Sequence, residues 1–365
     1  MTPFNHVLKQ EERAVFALRS LYRSFGYTQF KMSKFEEYDL YVRNKEFLVS
    51  DHVITFNDTD GRLLALKPDV TLSIIKNGTY EQGCKQKVYY SENVYRVSHK
   101  THRFKEFTQS GLECIGDIDI SDIYEVLSLA ARSLAVFSQD FVLDVSHLGI
   151  LSKVLTTASS DPSFTEEATR LIAEKNRHEI EMLCKRFSVS DEHIDMINEL
   201  VAIYGDSKEV LPRLAVICEK VGAQDAYSEL KVLCELLSKS DSEGNIKLDF
   251  SVVNDMNYYN GIVFRGFLKG IPEGVLSGGE YGTLMQRMGK NADAIGFAIY
   301  LDLLEELLVS TRKYDVDTLI VYDNKTNISK MLALKERLLS EGKSVSTQRE
   351  IPQKLRYKEL IKLED

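Results

Sequence analysis

The sequence predicts an α+β fold in which a β-rich core is interrupted by a block of helices. Three observations predict it. From Val94 to Gly116 the chain reads VYRVSHKTHRFKEFTQSGLECIG, apolar and aromatic at both ends around a basic middle of Arg96, His99, Lys100, His102, Arg103 and Lys105, the pattern of strand, charged loop, strand. From about Leu151 to Lys239 the apolar spacing is that of successive amphipathic helices. At Ile246 strand-type sequence resumes, so the helices read as an insertion into the core.

Composition narrows the classes of function. The 365 residues, 44% hydrophobic and 28% charged, are those of an ordinary globular protein of two or three domains. A net charge of −9 argues against a generic nucleic-acid binder, whose affinity rests on clustered Lys and Arg. Five cysteines (Cys84, Cys114, Cys184, Cys218, Cys234) are scattered, never CxxC and never at metal spacing with histidines, which reads as buried thiols in a reducing cytosol and predicts no metal site. The first residues, MTPFNHVLKQEERAVF, lack an apolar targeting core, and no run of about 18 apolar residues occurs, so the expectation is a soluble cytoplasmic protein without membrane contact.

Taken in order, Glu11 to Arg23 places Val15, Phe16, Leu18, Leu21 and Tyr22 at helical spacing, with Gly26 as a stop. Tyr27 to Val42, with Phe30, Phe35, Tyr38 and Tyr41, reads as a partly buried strand or an interface element. Val53 to Asn57 and Arg62 to Leu66 flank DTDG, a tight-hairpin signal. LKPDVTLSIIKNG then starts a short helix near Val70, where Asp69 is a natural N-cap. After the basic stretch and its turn-prone Gln109 to Gly111, Asp122 to Phe137 is an amphipathic helix started by Ser121 or Asp122, and FVLDVSHLGIL is a buried strand.

The helical block comprises Glu166 to Leu183, Glu192 to Ile203, Val210 to Val221 and Ala226 to Leu237, with nothing in it that suggests catalysis. Beyond it come strands from Ile246 to Phe267 around NYYNGIVFRGF, then a glycine-rich turn at Gly278, Gly279, Tyr281 and Gly282. Ala294 to Leu308 follows as strand passing into helix. GGxYG is neither GxGxxG nor a P-loop, so no nucleotide fold and no cofactor are inferred from these glycines. Thr318 to Tyr322, Ile328 to Ser340 and Lys343 to Gln348 make one β-α-β unit, followed by a mixed-charge tail. The domain reading is therefore a discontinuous core of residues 1–150 and 246–312, an insertion of 151–245 and a C-terminal unit of 313–365.

The order of motifs resembles the class II aminoacyl-tRNA synthetase core, and within it the histidyl-tRNA synthetase-like branch. LKPDVT is similar to that branch's LRPEGT, the Val94–Gly116 stretch to its motif 2 hairpin, and NYYNGIVF to its DYYTGIVF. SGGEYGTLMQRMG with AIGFAIYLDLL is similar to its glycine-rich turn and motif 3. The resemblance covers about residues 7 to 310. It implies a class II aminoacyl-tRNA synthetase-like antiparallel β-sheet core flanked by helices, with a helical insertion and a short C-terminal β-α-β unit. It also implies a dimer through motif 1, although the proline usual there is missing: none lies between Pro3 and Pro68.

Three departures bear on chemistry. Amino-acid activation brings a carboxylate to the α-phosphorus of ATP, and arginines and magnesium stabilise the charge that develops. Arg96 matches the motif 2 arginine, but the glutamate two residues on is Ser98, the arginine before the glycine of the histidine motif is Asn254, and the motif 3 arginine after Asp302 is Leu303. Each lost donor costs about 3 to 4 kcal/mol in the transition state, so activation is expected to be abolished.

The resemblance implies that the amino-acid pocket of the family is retained. It implies that Asp69, Thr71 and Gln109 meet a histidine ammonium, Glu113 and Tyr258 its imidazole, and Arg96 its carboxylate, with Tyr259 and Tyr281 lining the pocket. Read without the resemblance, the tyrosines are equally core aromatics, Glu113 a satisfied strand carboxylate and Asp69 a helix cap. From Asp315 to Asp365 ten Lys plus Arg face nine Asp plus Glu, a nearly neutral stretch and a poor RNA grip, shorter than the anticodon-binding domain of about a hundred residues that a synthetase needs.

The relatives that fit this profile are the regulatory subunits of ATP phosphoribosyltransferase, which catalyses the first step of histidine biosynthesis. The resemblance implies an inert synthetase paralogue that activates a short-form catalytic subunit and takes histidine as feedback effector, as a homodimer within a hetero-octamer. A divergent histidyl-tRNA synthetase, or another amino-acid-activating enzyme, is the alternative; a scaffold that binds no amino acid is a third.

Overall fold

Residues 1–308 and 309–365 form two separate units, and the computed structural model describes residues 8–45, 48, 52–78, 83–98, 101–253, 258–304 and 313–363. In the first unit, helix α1 (Gln10–Ser24) buries Ala14, Leu18 and Tyr22, which recur every fourth residue, and the chain leaves it through Gly26 at φ 85°. Phe16, expected on the apolar face, points about half a turn away from that row and is 52% exposed. The segment expected as one strand is instead β1 (Thr28–Gln29), β2 (Phe35–Glu37) and α2 (Tyr38–Arg43). Its aromatics have no period of two, and Tyr38 and Tyr41 stand three apart, a helical spacing.

Strands β3 (Thr55–Asn57) and β4 (Leu63–Leu66) form the hairpin expected around Asp58 to Gly61, and β2 completes a small antiparallel sheet in the order β2-β4-β3. Helix α3 (Thr71–Asn77) leads to β5 (Lys85–Val97) and β6 (Phe104–Gly116), a long hairpin paired from Lys85 opposite Gly116 to Val97 opposite Phe104. His99 and Lys100 of its basic loop lie outside the described residues. Gln109 to Gly111 do not turn; they sit within β6, and Gly111 is there because a Cβ would overlap the Phe297 carbonyl.

Helix α4 (Ile120–Ala135) is capped by Asp119, which accepts from the Ser121 amide at 2.8 Å, and not by Ser121 or Asp122. Asp122 supplies the reciprocal bond of a capping box. The apolar run after it is half strand, β7 (Phe141–His147), and half helix, α5 (Leu148–Ala158), because His147 Nδ1 accepts from the Gly149 amide at 3.0 Å and starts a helix there. Where one helix was expected, α6 (Pro162–Ala173) and α7 (Arg177–Arg186) are separated at Lys175, φ 52°, and Asn176, which caps α7. Then come α8 (Asp191–Ala202), β8 (Tyr204–Gly205), α9 (Ser207–Val221) and α10 (Gln224–Leu237).

The core resumes with β9 (Ile246–Asp249), β10 (Ile262–Leu268), β11 (Leu276–Glu280), α11 (Gly282–Arg287) and β12 (Asp293–Tyr300), which ends in a 3-10 turn, Leu301–Leu304. The rest of the helix expected up to Leu308 lies outside the described residues. The presumed glycine turn is also a strand: Gly278 and Gly279 belong to β11, where side chains would run into the Gly296 and Ile262 carbonyls of the flanking strands.

The nine strands run β1-β5-β6-β12-β11-β10-β7-β9-β8. The six from β5 to β7 pair antiparallel, and parallel pairing occurs only towards the edges, β1 with β5 and β7 with β9. One continuous apolar core joins α1, α4 and one face of the sheet to the helices α5 to α10; a second, around Tyr41, Leu72, Ile75 and Tyr90, underlies α3 and α11. Four cysteines are buried, as expected, but Cys84 is exposed, because it lies in the turn that follows Gly83 at φ 77°.

In the second unit, β13 (Val316–Tyr322), α12 (Ile328–Ser340) and β14 (Val345–Gln348) form the expected β-α-β, and the tail adds β15 (Tyr357–Leu363) parallel to β13. The exposed charges of Lys358, Glu359 and Lys362 mask this strand in the sequence. Among the described residues no helix is long and apolar enough to cross a membrane.

Candidate functional site

Alternation along the central strands turns one row of side chains towards a cavity of about 400 Å³. Gln109 and Glu113 of β6 face it, and directly opposite on β12 stand Tyr300 and Gly296, with Ala298 between them on the same row. Small residues open the space: at Gly296 a Cβ would overlap the Glu113 carboxylate. The N-terminus of α3 contributes Asp69 and Thr71, β5 contributes Arg96, and the segment before β10 contributes Tyr258 and Tyr259. Tyr281 joins from the junction of β11 and α11, so all eight residues singled out in the sequence share this one cavity.

Glu113 is its centre. The carboxylate is 2% exposed, accepts from Thr71 Oγ1 at 2.8 Å on one oxygen and from the Tyr281 hydroxyl at 2.6 Å on the other. The Tyr258 phenol lines the cavity beside Thr71. Burial pushes the Glu113 carboxyl up to about 8, the hydroxyls of Tyr281 and Thr71 pull it down, and the nearby Asp69 charge adds to the rise. The three tyrosine rings form a wall, Tyr258 lying 4.5 Å from Tyr259 and 5.7 Å from Tyr281 between centroids.

Asp69 serves two neighbours at once. Oδ1 accepts from the Leu72 amide at 2.8 Å, the helix-starting bond that its place before α3 suggested, while Oδ2 stands 3.9 Å from Arg96 Nη2. Burial raises its pKa above the ordinary carboxylate range; Arg96 and the amides of Leu72, Thr71 and Val70 oppose the rise. Arg96 is mostly buried and donates through Nε to the Pro68 carbonyl at 2.5 Å, which fixes its guanidinium at the cavity wall.

The departures from synthetase chemistry are visible as geometry. Ser98 is buried at the hairpin end, where its hydroxyl accepts from the Thr101 amide at 3.4 Å. Leu303 packs against the apolar core. Asn254 lies outside the described residues.

Further wall residues were not picked out from sequence: Tyr90, Arg265, Ser277, Phe297, Ala298 and Tyr300, with Leu48 and Val253. A period-two reading outward from Glu113 finds several of them, because Ser277 pairs with Ala298 and Arg265 with Ser277 across the sheet. Among the described residues no group of three or more His, Cys, Asp or Glu could hold a metal ion. Buried acceptors, phenols and two arginines in one cavity suit a small zwitterion carrying a polar side chain, whose ammonium, carboxylate and side-chain N–H each need a partner.

An antiparallel sheet with this long hairpin, and an amino-acid-sized cavity over its face, defines a protein of the class II aminoacyl-tRNA synthetase type. The chain belongs to the histidyl-tRNA synthetase family, whose model matches residues 5–304, and within it to the ATP phosphoribosyltransferase regulatory subunits. It is 30% identical over 292 residues to the protein of that name from Caldanaerobacter subterraneus subsp. tengcongensis, covering 78% of this chain and 75% of the relative.

Solved structures agree on the fold. An ATP phosphoribosyltransferase regulatory subunit/histidyl-tRNA synthetase from Bacillus halodurans matches with a TM-score of 0.81 at 22% identity, covering 97% of this chain and 93% of the other. A chain of the ATP phosphoribosyl transferase (HisG:HisZ) complex from Thermotoga maritima matches with a TM-score of 0.62 at 20% identity, covering 79% of this chain and 96% of the other.

Proposed function

We propose that this chain is the non-catalytic regulatory subunit of a cytoplasmic ATP phosphoribosyltransferase. In this reading it activates a short-form catalytic subunit and carries histidine as feedback effector, as a homodimer within a larger assembly with that subunit. The observation that carries the reading is the contrast within one fold: a complete amino-acid cavity around Glu113, beside a hairpin end with Ser98 and a motif 3 position with Leu303, neither of which offers charge to a triphosphate. Asp69, Thr71 and Gln109 would take the ammonium of histidine, Arg96 its carboxylate, and Glu113 with Tyr258 its imidazole. Tyr259 and Tyr281 would close the sides.

Regulation then requires histidine to bind one state of the assembly better than another, with reciprocal coupling to catalysis. Calorimetry with histidine, alongside a histidine-dependent ATP–pyrophosphate exchange assay on the purified chain, tests both halves. Saturable histidine binding without exchange is expected. Exchange above background would restore the synthetase reading, and absence of binding would leave only the scaffold.

A further inference from the structure

Glu280 is a half-buried carboxyl that the proposed histidine contacts do not use. It ends β11, immediately before Tyr281, and its Oε2 accepts from the Ile262 amide at 2.5 Å, while its own carbonyl accepts from the Asn260 amide at 3.0 Å. Gly261 lies between those two donors, and a Cβ there would overlap the Glu280 carboxylate, so only glycine lets the strap close so tightly. On its other side the Gly261 carbonyl accepts from the Leu148 amide at 2.9 Å, at the start of α5. The short link from Tyr259 to Ile262 is thus stapled to the strand end that carries Tyr281.

The helical block reaches the same point. Glu229 of α10 bonds His147 Nε2 at 3.1 Å; His147 Nδ1 accepts from Gly149, so Nε2 carries the proton and donates. Burial pushes the Glu280 carboxyl up to about 7, the Ile262 amide pulls it down, and the charges of Glu229 and Asp293 add to the rise. Glu280, Glu229, Asp293 and His147 are the titratable groups of this node.

We propose that Glu280 is a positioning residue of the amino-acid pocket, locking the Tyr258–Tyr259 segment to Tyr281, and that Glu229 with His147 ties this lock to the helical block. The inference rests on the histidine reading for its ligand but not for its geometry. It gives the helices of residues 151–245 a route to the pocket: what shifts α10 shifts Glu229 and His147, and with them the Leu148–Gly261 bond that holds the link next to Tyr259.

The test compares Glu280→Ala and Glu280→Gln in the full chain, reading histidine affinity by calorimetry and amide hydrogen exchange of the peptides spanning residues 258–262 by mass spectrometry. A glutamine still accepts from Ile262, so Glu280→Gln should bind histidine within about threefold of the parent, whereas Glu280→Ala should bind at least tenfold more weakly and exchange faster at Asn260 and Ile262. Rescue by the conservative variant separates positioning from bulk stability. Unchanged affinity in Glu280→Ala overturns the proposal. If Glu280→Ala does not fold, Gly261→Ala decides, since it must displace the same carboxylate: faster exchange and at least tenfold weaker binding support the lock, parental values overturn it. If the parent itself binds no histidine, the ligand reading fails, and exchange alone judges the lock: faster exchange in the deciding variant supports it and parental exchange overturns it.

Discussion

Glu113→Gln perturbs the pocket with almost no change of shape. In the parent both carboxylate oxygens accept hydroxyl bonds, from Thr71 and Tyr281, and the remaining lone pairs face the cavity. The amide turns one acceptor into a donor, so an imidazole N–H loses a charge-assisted bond worth about 1.5 to 3 kcal/mol, a ten- to hundredfold loss of histidine affinity at neutral pH. The pH profile is sharper still. With Glu113 near 8 and a free imidazole near 6.5, the bound pair holds one proton, so affinity should be nearly flat between those values and fall tenfold per unit above about 8. The glutamine variant should lose that alkaline fall.

The same substitution has an opposite effect on the empty fold. A carboxyl with a folded pKa above its unfolded value of 4.5 binds more protons when folded, so it stabilises less as pH rises from about 4.5 towards 8. Each unit of that rise is about 1.4 kcal/mol, and the variant should therefore gain melting temperature relative to the parent at pH 8 but not at pH 5. Weaker binding with a firmer fold marks a group strained for function rather than for folding. Calorimetry and thermal melts across pH 5 to 9 read both; parental affinity at pH 7.5, or an alkaline fall that persists in the variant, refutes the reasoning.

Two further outcomes are expected. Gly296→Ala drives a methyl into the Glu113 carboxylate, and overpacking of this kind costs about 1 to 3 kcal/mol, so it should lower the melting temperature and abolish histidine binding in the same titration. Asp119→Ala removes the cap of α4 and one of the two carboxylates on Lys85, neither of which lines the cavity, and should cost about 0.5 to 2 kcal/mol in urea unfolding while leaving histidine affinity unchanged.

What could be read from sequence divides by physical cause. Helix α12 was expected over Ile328 to Ser340 and is found there, because Asn327 caps it and Met331 and Leu338 fall on one buried face. The glycines of β11 misled because glycine signals both a turn and close contact between strands; here Gly278 and Gly279 serve the second. His147 could not be foreseen as the end of β7, since nothing in FVLDVSHLGIL marks a ring nitrogen as a helix cap. Strand β15 was hidden because three of its seven residues are exposed charges on an edge strand. In the cavity, the residues named from motifs came together because Arg96, Gln109 and Glu113 lie on the paired strands β5 and β6, and the others sit where α3, β10 and α11 join the sheet. Arg265, Ser277 and Tyr300 required knowing which strands are neighbours, and Leu48, in a loop, had no periodic signal at all.

In the proposed function this fold answers to histidine on behalf of another subunit. The direct measurement is phosphoribosyl transfer by a short-form ATP phosphoribosyltransferase catalytic subunit, alone and mixed with this chain, across a histidine titration. Activity should rise on mixing, histidine should suppress it, and Glu113→Gln should shift the suppression to ten- to hundredfold higher histidine. A mixture no more active than the catalytic subunit alone, or suppression that ignores Glu113, would contradict the proposed function.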